Sequence, residues 1–268
     1  MRRALILVYG IAAYATAMTT LAYAMGFVAN LIVPVSMDVG PASRWQEALP
    51  IDAALLALFA VQHSVMARRG FKPWWTRIVP KPIERSTYAL FASAALALLF
   101  WQWRPIGDVV WTIQQPSLRH FVQALSWVGW WLVVVSSFLL NHFELFGVKQ
   151  AVAAARGGEL RESEFTAPGL YKLVRHPIYL GFLIAFWSTP DMTAGHLLFS
   201  VVTTAYILIG IAFEERDLVA LFGDAYRKYR HEVPMLLPWP KRPAAGDDEG
   251  PHLIRSSAHT IDGEFRQL

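Results

Sequence analysis

The chain has 268 residues, 55% of them hydrophobic and 16% charged, with a net charge of +4. A soluble domain carries nearer ~25% charged residues, so this balance, gathered into long apolar runs, indicates an integral membrane protein. There is no cysteine, which excludes disulfides, thiolate metal sites and a cysteine nucleophile.

In chain order, four stretches reach the roughly 20 apolar residues that a membrane helix needs. They lie at about 4–33, 51–67, 86–103 and 120–143. The first, beginning MRRALILVYGIAAYA, continues apolar to Val33 and reads as a retained span rather than a secretion signal. A fifth apolar region, 177–213, is interrupted by Pro190 and Asp191 and reads as a hairpin. Its first arm, IYLGFLIAFWSTP, rises only ~20 Å as a helix. That arm either tilts inside the protein or starts below the membrane surface. Its second arm runs from Thr193 through HLLFSVVTTAYILIGIAF. Residues 214–231, with Leu218, Leu221 and Phe222 at helical spacing, predict a cytoplasmic amphipathic helix. The expected fold class is therefore an all-α integral membrane protein: four transmembrane helices, a C-terminal helical hairpin giving five or six crossings, and that surface helix. Trp74, Trp75, Trp101, Trp103, Trp111 and Trp187 fall near span ends and suit an interfacial aromatic belt. Residues 1–240 read as a single domain, with spans over 4–143, and 241–268 as a mobile cytoplasmic tail.

The basic residues orient this topology. Of 24 Lys and Arg, 21 fall in alternate segments counted from the N-terminus. The positive-inside rule then puts both termini and the large loops in the cytoplasm.

Polar groups inside apolar spans need a partner or a purpose. Gln62-His63-Ser64 sits within the second span. Asn141-His142 and Glu144 end the fourth. Arg175, His176 and Tyr179 open the hairpin, and Glu214, Glu215 and Asp217 close it. Most fall toward the inner edge, where they can surround one polar pocket. His196 lies on the outer side and reads as structural or interfacial. No P-loop, GxGxxG, GxSxG or HExxH motif is present, and no metal site is expected. A haem held by His63 and His142 on facing helices, or a non-catalytic membrane protein, are the readings from other classes.

RHPIYLGF, an apolar hairpin, then EERDLVALFGDAYRKYRHEVP occur in one order over some 65 residues. Together they resemble the isoprenylcysteine carboxyl methyltransferase and phospholipid methyltransferase superfamily of membrane enzymes. QHSVMAR, NHFELFGVKQ and FWSTPDMTAGHLLF are further similar to its bacterial methanethiol S-methyltransferases, which have NnrU-like relatives. The resemblance implies S-adenosyl-L-methionine as methyl donor and 144–240 as the catalytic half. The implied cofactor pocket is built from Arg175, His176, Tyr179, Gly181, Glu214, Glu215, Tyr226 and Tyr229. The implied acceptor is methanethiol, with another small thiol, hydrogen sulfide or a lipid amine as alternatives. His63, His142 and Glu215 are the candidate catalytic residues; the thiol proton can pass to a histidine, which is favoured, to a hairpin-end carboxylate or to a tyrosinate. The expected surroundings are a bacterial inner membrane and its lipid, with no nucleic acid and no protein partner.

Overall fold

A computed structural model describes residues 2–41, 43–158 and 165–238; the expected tail, 241–268, lies outside the described residues. Helices α1 (Arg2–Ala29) and α2 (Trp45–Ala67) are followed by a short helix, α3 (Lys72–Trp75), and by α4 (Glu84–Gln102). Strand β1 (Val109–Thr112) leads into α5 (Pro116–Leu139). Two short helices, α6 (His142–Leu145) and α7 (Val148–Ala155), precede α8 (Pro177–Trp187). Strand β2 (Asp191–Thr193), the long α9 (Ala194–Phe222) and α10 (Asp224–Glu232) complete the order. Five of these, α1, α2, α4, α5 and α9, are long and apolar enough to cross a bilayer. Their outward faces expose Val8, Phe121, Trp131 and Ile209, as a lipid-facing surface does. The protein is an all-α integral membrane protein, with one two-stranded ribbon among the described residues.

Three helix ends differ from the sequence reading. The first apolar run stops being helical at Asn30, whose φ of 55° is left-handed. Its side-chain carbonyl accepts from Ser36 Oγ at 2.8 Å and from the Asp38 amide at 2.9 Å, so apolar residues 31–33 fall in a tied loop. The α5 helix likewise stops short of 143, because Asn141 takes a left-handed φ of 79°. The third difference concerns 214–231. The surface helix does not begin at 214: α9 continues through Glu214, Glu215 and Asp217 to Phe222, and the separate polar helix is α10, from Asp224 to Glu232. An established helical ladder extends at low cost through polar residues, and only Gly223, at φ 56° and ψ −127°, breaks it.

The hairpin's short arm is α8, with 11 residues. At about 16 Å it cannot cross ~30 Å of hydrocarbon alone. Residues 188–190 carry the chain on to β2, which pairs antiparallel with β1, Val109 opposite Thr193 and Thr112 opposite Asp191. Asp191 also receives a two-pronged contact from Arg119, at 2.9 and 2.6 Å. The buried core lies at this end of the bundle, where α1 and α4 finish and α9 begins. Phe27, Leu56, Leu99, Trp103 and Phe199 meet there. Trp103 is fully buried and donates its indole N–H to the Met37 carbonyl at 3.0 Å, so it does not join the interfacial belt as expected. Trp74 and Trp101 remain exposed. His196 is also buried here, its Nε2 2.9 Å from the Phe186 carbonyl, which fits the structural one of the two readings and not the interfacial one. The polar residues of the hairpin gather at the opposite end.

Candidate active site

The polar cluster is built where α8 begins. Pro177 occupies the first helical turn, where its missing N–H costs nothing. The two preceding residues are pinned from far along the chain: the Arg175 amide donates to the Pro234 carbonyl at 2.9 Å, and the His176 amide to Met235 at 3.2 Å. The Arg175 side chain then ties three elements together. Its Nε donates to Glu215 Oε1 at 2.7 Å, and one terminal nitrogen donates to the carbonyls of Arg230, at 2.7 Å, and Val233. These carbonyls belong to the end of α10, where acceptors lack helical partners. His176 Nε2 lies 3.1 Å from the same Glu215 oxygen. The side chains of Arg175, His176 and Glu215 are only 8%, 4% and 12% exposed, so this is a buried ionic cluster. Glu215 precedes the end of α9 by two helical turns, which sets the cluster about 10 Å in from that end.

Next to it, Tyr179 donates its hydroxyl to Glu214 Oε2 at 2.8 Å, and its ring lies 5.6 Å from that of His176. Among the described residues, Glu214 has no cation within ion-pair distance. Farther along α9, away from its end, Tyr206 lies near Ser64 of α2. The two helices are also joined by Arg68, which lies 3.9 Å over the Phe213 ring and 3.7 Å from Asp217. His63 stacks on Phe59 and its Nε2 is 2.8 Å from the Tyr88 hydroxyl of α4. Tyr88 and Tyr179 lie within electrostatic reach of each other, of Tyr206 and of Glu214. A polar ladder thus runs from His63 through Tyr88 and Tyr179 to the acidic pair. Two buried atoms along it, His63 Nδ1 and Gln62 Oε1, have no hydrogen-bond partner.

The structure therefore brings together His63, Arg175, His176, Tyr179, Glu214 and Glu215. It separates His142, whose ring nitrogens face the Tyr14 hydroxyl at 3.0 Å and Ser137 Oγ at 2.8 Å. That ring also stacks on Phe138 with centroids 4.2 Å apart. With both nitrogens occupied, His142 is a joint between α1 and α5. Burial pushes its imidazole below the usual histidine range. The unfolded chain then takes up the proton first as pH falls through about 6.5, so stability is complete above that pH and declines below it. The thermal midpoint should fall less between about pH 7.5 and 5 in His142→Gln than in the parent. Equal falls would remove His142 as the source.

Gly181 is accounted for by packing. A methyl group there would lie 2.7 Å from the Gly129 carbonyl oxygen and 2.9 Å from the Val133 nitrogen, so the backbones of α5 and α8 touch. Gly181 and Ala185 form the small-residue stripe that such contact requires. Tyr226 and Tyr229 pack with Phe165 and Val233, and Tyr229 donates to the Tyr171 carbonyl at 2.6 Å. Burial holds both phenols above the usual tyrosine range. They seat α10 and, through it, the carbonyls that hold Arg175. Sequence reasoning missed Tyr88 and Tyr206. A polar Ser-Thr-Tyr run at 86–88, opposite a span already carrying His63, is the signal that would have found the first. Among the described residues, no group of three or more His, Asp and Glu could hold a metal ion.

The NnrU protein family matches residues 53–236. Methanethiol S-methyltransferase 1 of Bradyrhizobium diazoefficiens is 57% identical over 231 residues, covering 86% of this chain and 81% of that protein. Methanethiol S-methyltransferase of Mycobacterium tuberculosis is 54% identical over 242 residues, covering 90% of this chain and 99% of that protein. Nurim of Mus musculus is more distant, 30% identical over 185 residues, covering 66% of this chain and 70% of that protein. No solved structure matches. The match runs from the second membrane helix to the segment at 234–235 that pins Arg175 and His176, and the chain belongs to the NnrU family of membrane proteins.

Proposed function

We propose that this protein transfers a methyl group from S-adenosylmethionine to methanethiol, giving dimethyl sulfide, S-adenosylhomocysteine and a proton. Near full-length likeness to proteins named for this reaction carries the reading.

The residues suit a zwitterionic cofactor. Glu214, held by a hydroxyl and by no cation among the described residues, offers a carboxylate to an ammonium group. His176 offers an imidazole beside it, and Tyr179 an aromatic face. Arg175 spends its side chain on Glu215 and on α10, so it positions the cofactor-binding wall and does not hold a ligand carboxylate. When bound, S-adenosylmethionine supplies a methyl group activated by its sulfonium charge.

The chain's own task is to take the thiol proton. The S–H electron pair stays on sulfur and forms the new bond to carbon, while the proton passes to a base. His63 is the acceptor we assign, because its Nδ1 is buried and unpartnered. Tyr88 Oη lies 2.8 Å from His63 Nε2 and 3.3 Å from the His63 carbonyl. If it donates to that carbonyl, it accepts from Nε2–H, which leaves the lone pair on Nδ1. Glu215, occupied by Arg175 and His176, serves as the wall's anchor. The apolar bundle around His63 excludes water, which favours a step in which thiolate and sulfonium charges cancel.

The distribution of basic residues supports cytoplasmic termini, so that the cofactor enters from the cytoplasm of a bacterial inner membrane. Purified protein given S-adenosylmethionine and methanethiol should release dimethyl sulfide into the headspace. Product no higher than a boiled control would overturn the proposal, and a visible haem spectrum would favour a different class.

A further inference from the structure

The segment after α5 follows α1 backwards. The Phe143 ring lies 5.7 Å from that of Tyr14. Ala151 sits so close to Gly10 that a methyl on Gly10 would be 2.5 Å from its Cβ. The Arg3 guanidinium lies over Gly157, 3.1 Å from where a Cβ would stand. Three contacts in this order make α6 and α7 run antiparallel to α1 from Tyr14 to Arg3, about 16 Å of helix. Ala151 is the buried face of α7. Beside that face lies an open groove of about 370 Å³, lined by Phe143, Val148, Lys149, Val152, Ala153 and Arg156.

The charges along it are unequal in kind. Lys149 already donates to the Asn141 side chain, which in turn donates to Glu144. Arg156 is exposed, as is Arg3, and among the described residues neither has a carboxylate within ion-pair distance. Arg3 lies over Gly157, the residue after Arg156, so both arginines stand at the C-terminal end of α7, where the groove ends. Like charges so placed repel unless an anion sits between them, and a phosphate is the anion whose oxygens match guanidinium forks.

We infer that this groove holds one anionic phospholipid, its phosphate between Arg3 and Arg156 and an acyl chain along Val152, Val148 and Phe143. The apolar length explains why a lipid is taken and not free phosphate. The paired arginines explain why the headgroup must be anionic, since the ammonium of a zwitterionic headgroup would meet the same two cations. The site is separate from the ladder at His63 and Glu214 and does not rest on the proposed reaction.

The test is native mass spectrometry of the full chain in detergent, titrated with dioleoyl phosphatidylglycerol or dioleoyl phosphatidylethanolamine. One phosphatidylglycerol should be retained roughly tenfold more tightly than phosphatidylethanolamine, as about two phosphate-facing arginines warrant. Arg3→Gln combined with Arg156→Gln should bring the two lipids level. Ala153→Trp, which fills the groove, should weaken both. Thermal midpoints near the parent's should show that these variants fold. Equal retention of the two lipids by the parent, or undiminished phosphatidylglycerol retention by the double arginine variant, overturns the inference.

Discussion

Glu215→Ala is expected to cost about 3–5 kcal/mol of stability and to abolish S-adenosylmethionine binding. The carboxylate is the common partner of Arg175 and His176, at 2.7 and 3.1 Å, in a setting where all three side chains are nearly water-free. Removing it leaves a guanidinium buried with only carbonyls to answer it, and an unpaired buried charge costs more than the pair contributed. Replacing Arg175 as well, by leucine, should restore part of the stability because no charge is then stranded. It should not restore cofactor binding, because α10 and the 233–235 segment lose the donor that holds them to α8. Thermal midpoints and equilibrium dialysis with labelled cofactor separate the two effects. A Glu215→Ala midpoint equal to the parent's would mean the cluster is not buried as described.

His63→Ala should lower kcat by roughly 10²–10⁴, the range of general base catalysis, with a thermal midpoint close to the parent's. The deficit should shrink as pH rises, because solvent then ionises the thiol and the missing base matters less. His142→Ala should keep most of the parent's rate, since both its nitrogens serve the joint between α1 and α5. Tyr88→Phe should lose rate in the same direction as His63→Ala, and by less, because it disturbs only the tautomer. Headspace dimethyl sulfide against time, over a series of pH values, measures all three. An unchanged kcat in His63→Ala would return the proton acceptor to the hairpin residues.

Much of the molecule could be read from its sequence because apolar runs of span length have few other uses. That Arg175, His176 and Glu215 lie close together was legible for a similar reason, since charges at the inner edge of such runs need partners; that they pair with one another was not. What escaped has a common cause in distance along the chain. Tyr14 reaches His142 across 128 residues, and nothing local marks either as the other's partner. Strands β1 and β2 have four and three residues and exist only because they pair with each other. The continuation of α9 through Glu214 and Glu215 was hidden for a different reason. A change from apolar to charged composition looks like a boundary, yet composition does not end a helix; a breaker does, and the first is Gly223. Gly181 was assigned to the pocket from its place in a motif, whereas its neighbours, Gly129 and Val133, belong to another helix.

The pinning of Arg175 has a consequence for biosynthesis. Its guanidinium is satisfied by Glu215 and by the Val233 carbonyl, 58 residues later, and its amide by Pro234. While the chain is being made, α8 therefore emerges as a helix too short to span, led by an arginine without its counter-ion. It cannot settle until α9 has inserted and the ribosome has moved well past residue 235. The buried ionic cluster is thus the last part of the protein to close, and a stalled or shortened nascent chain carries membrane helices without it.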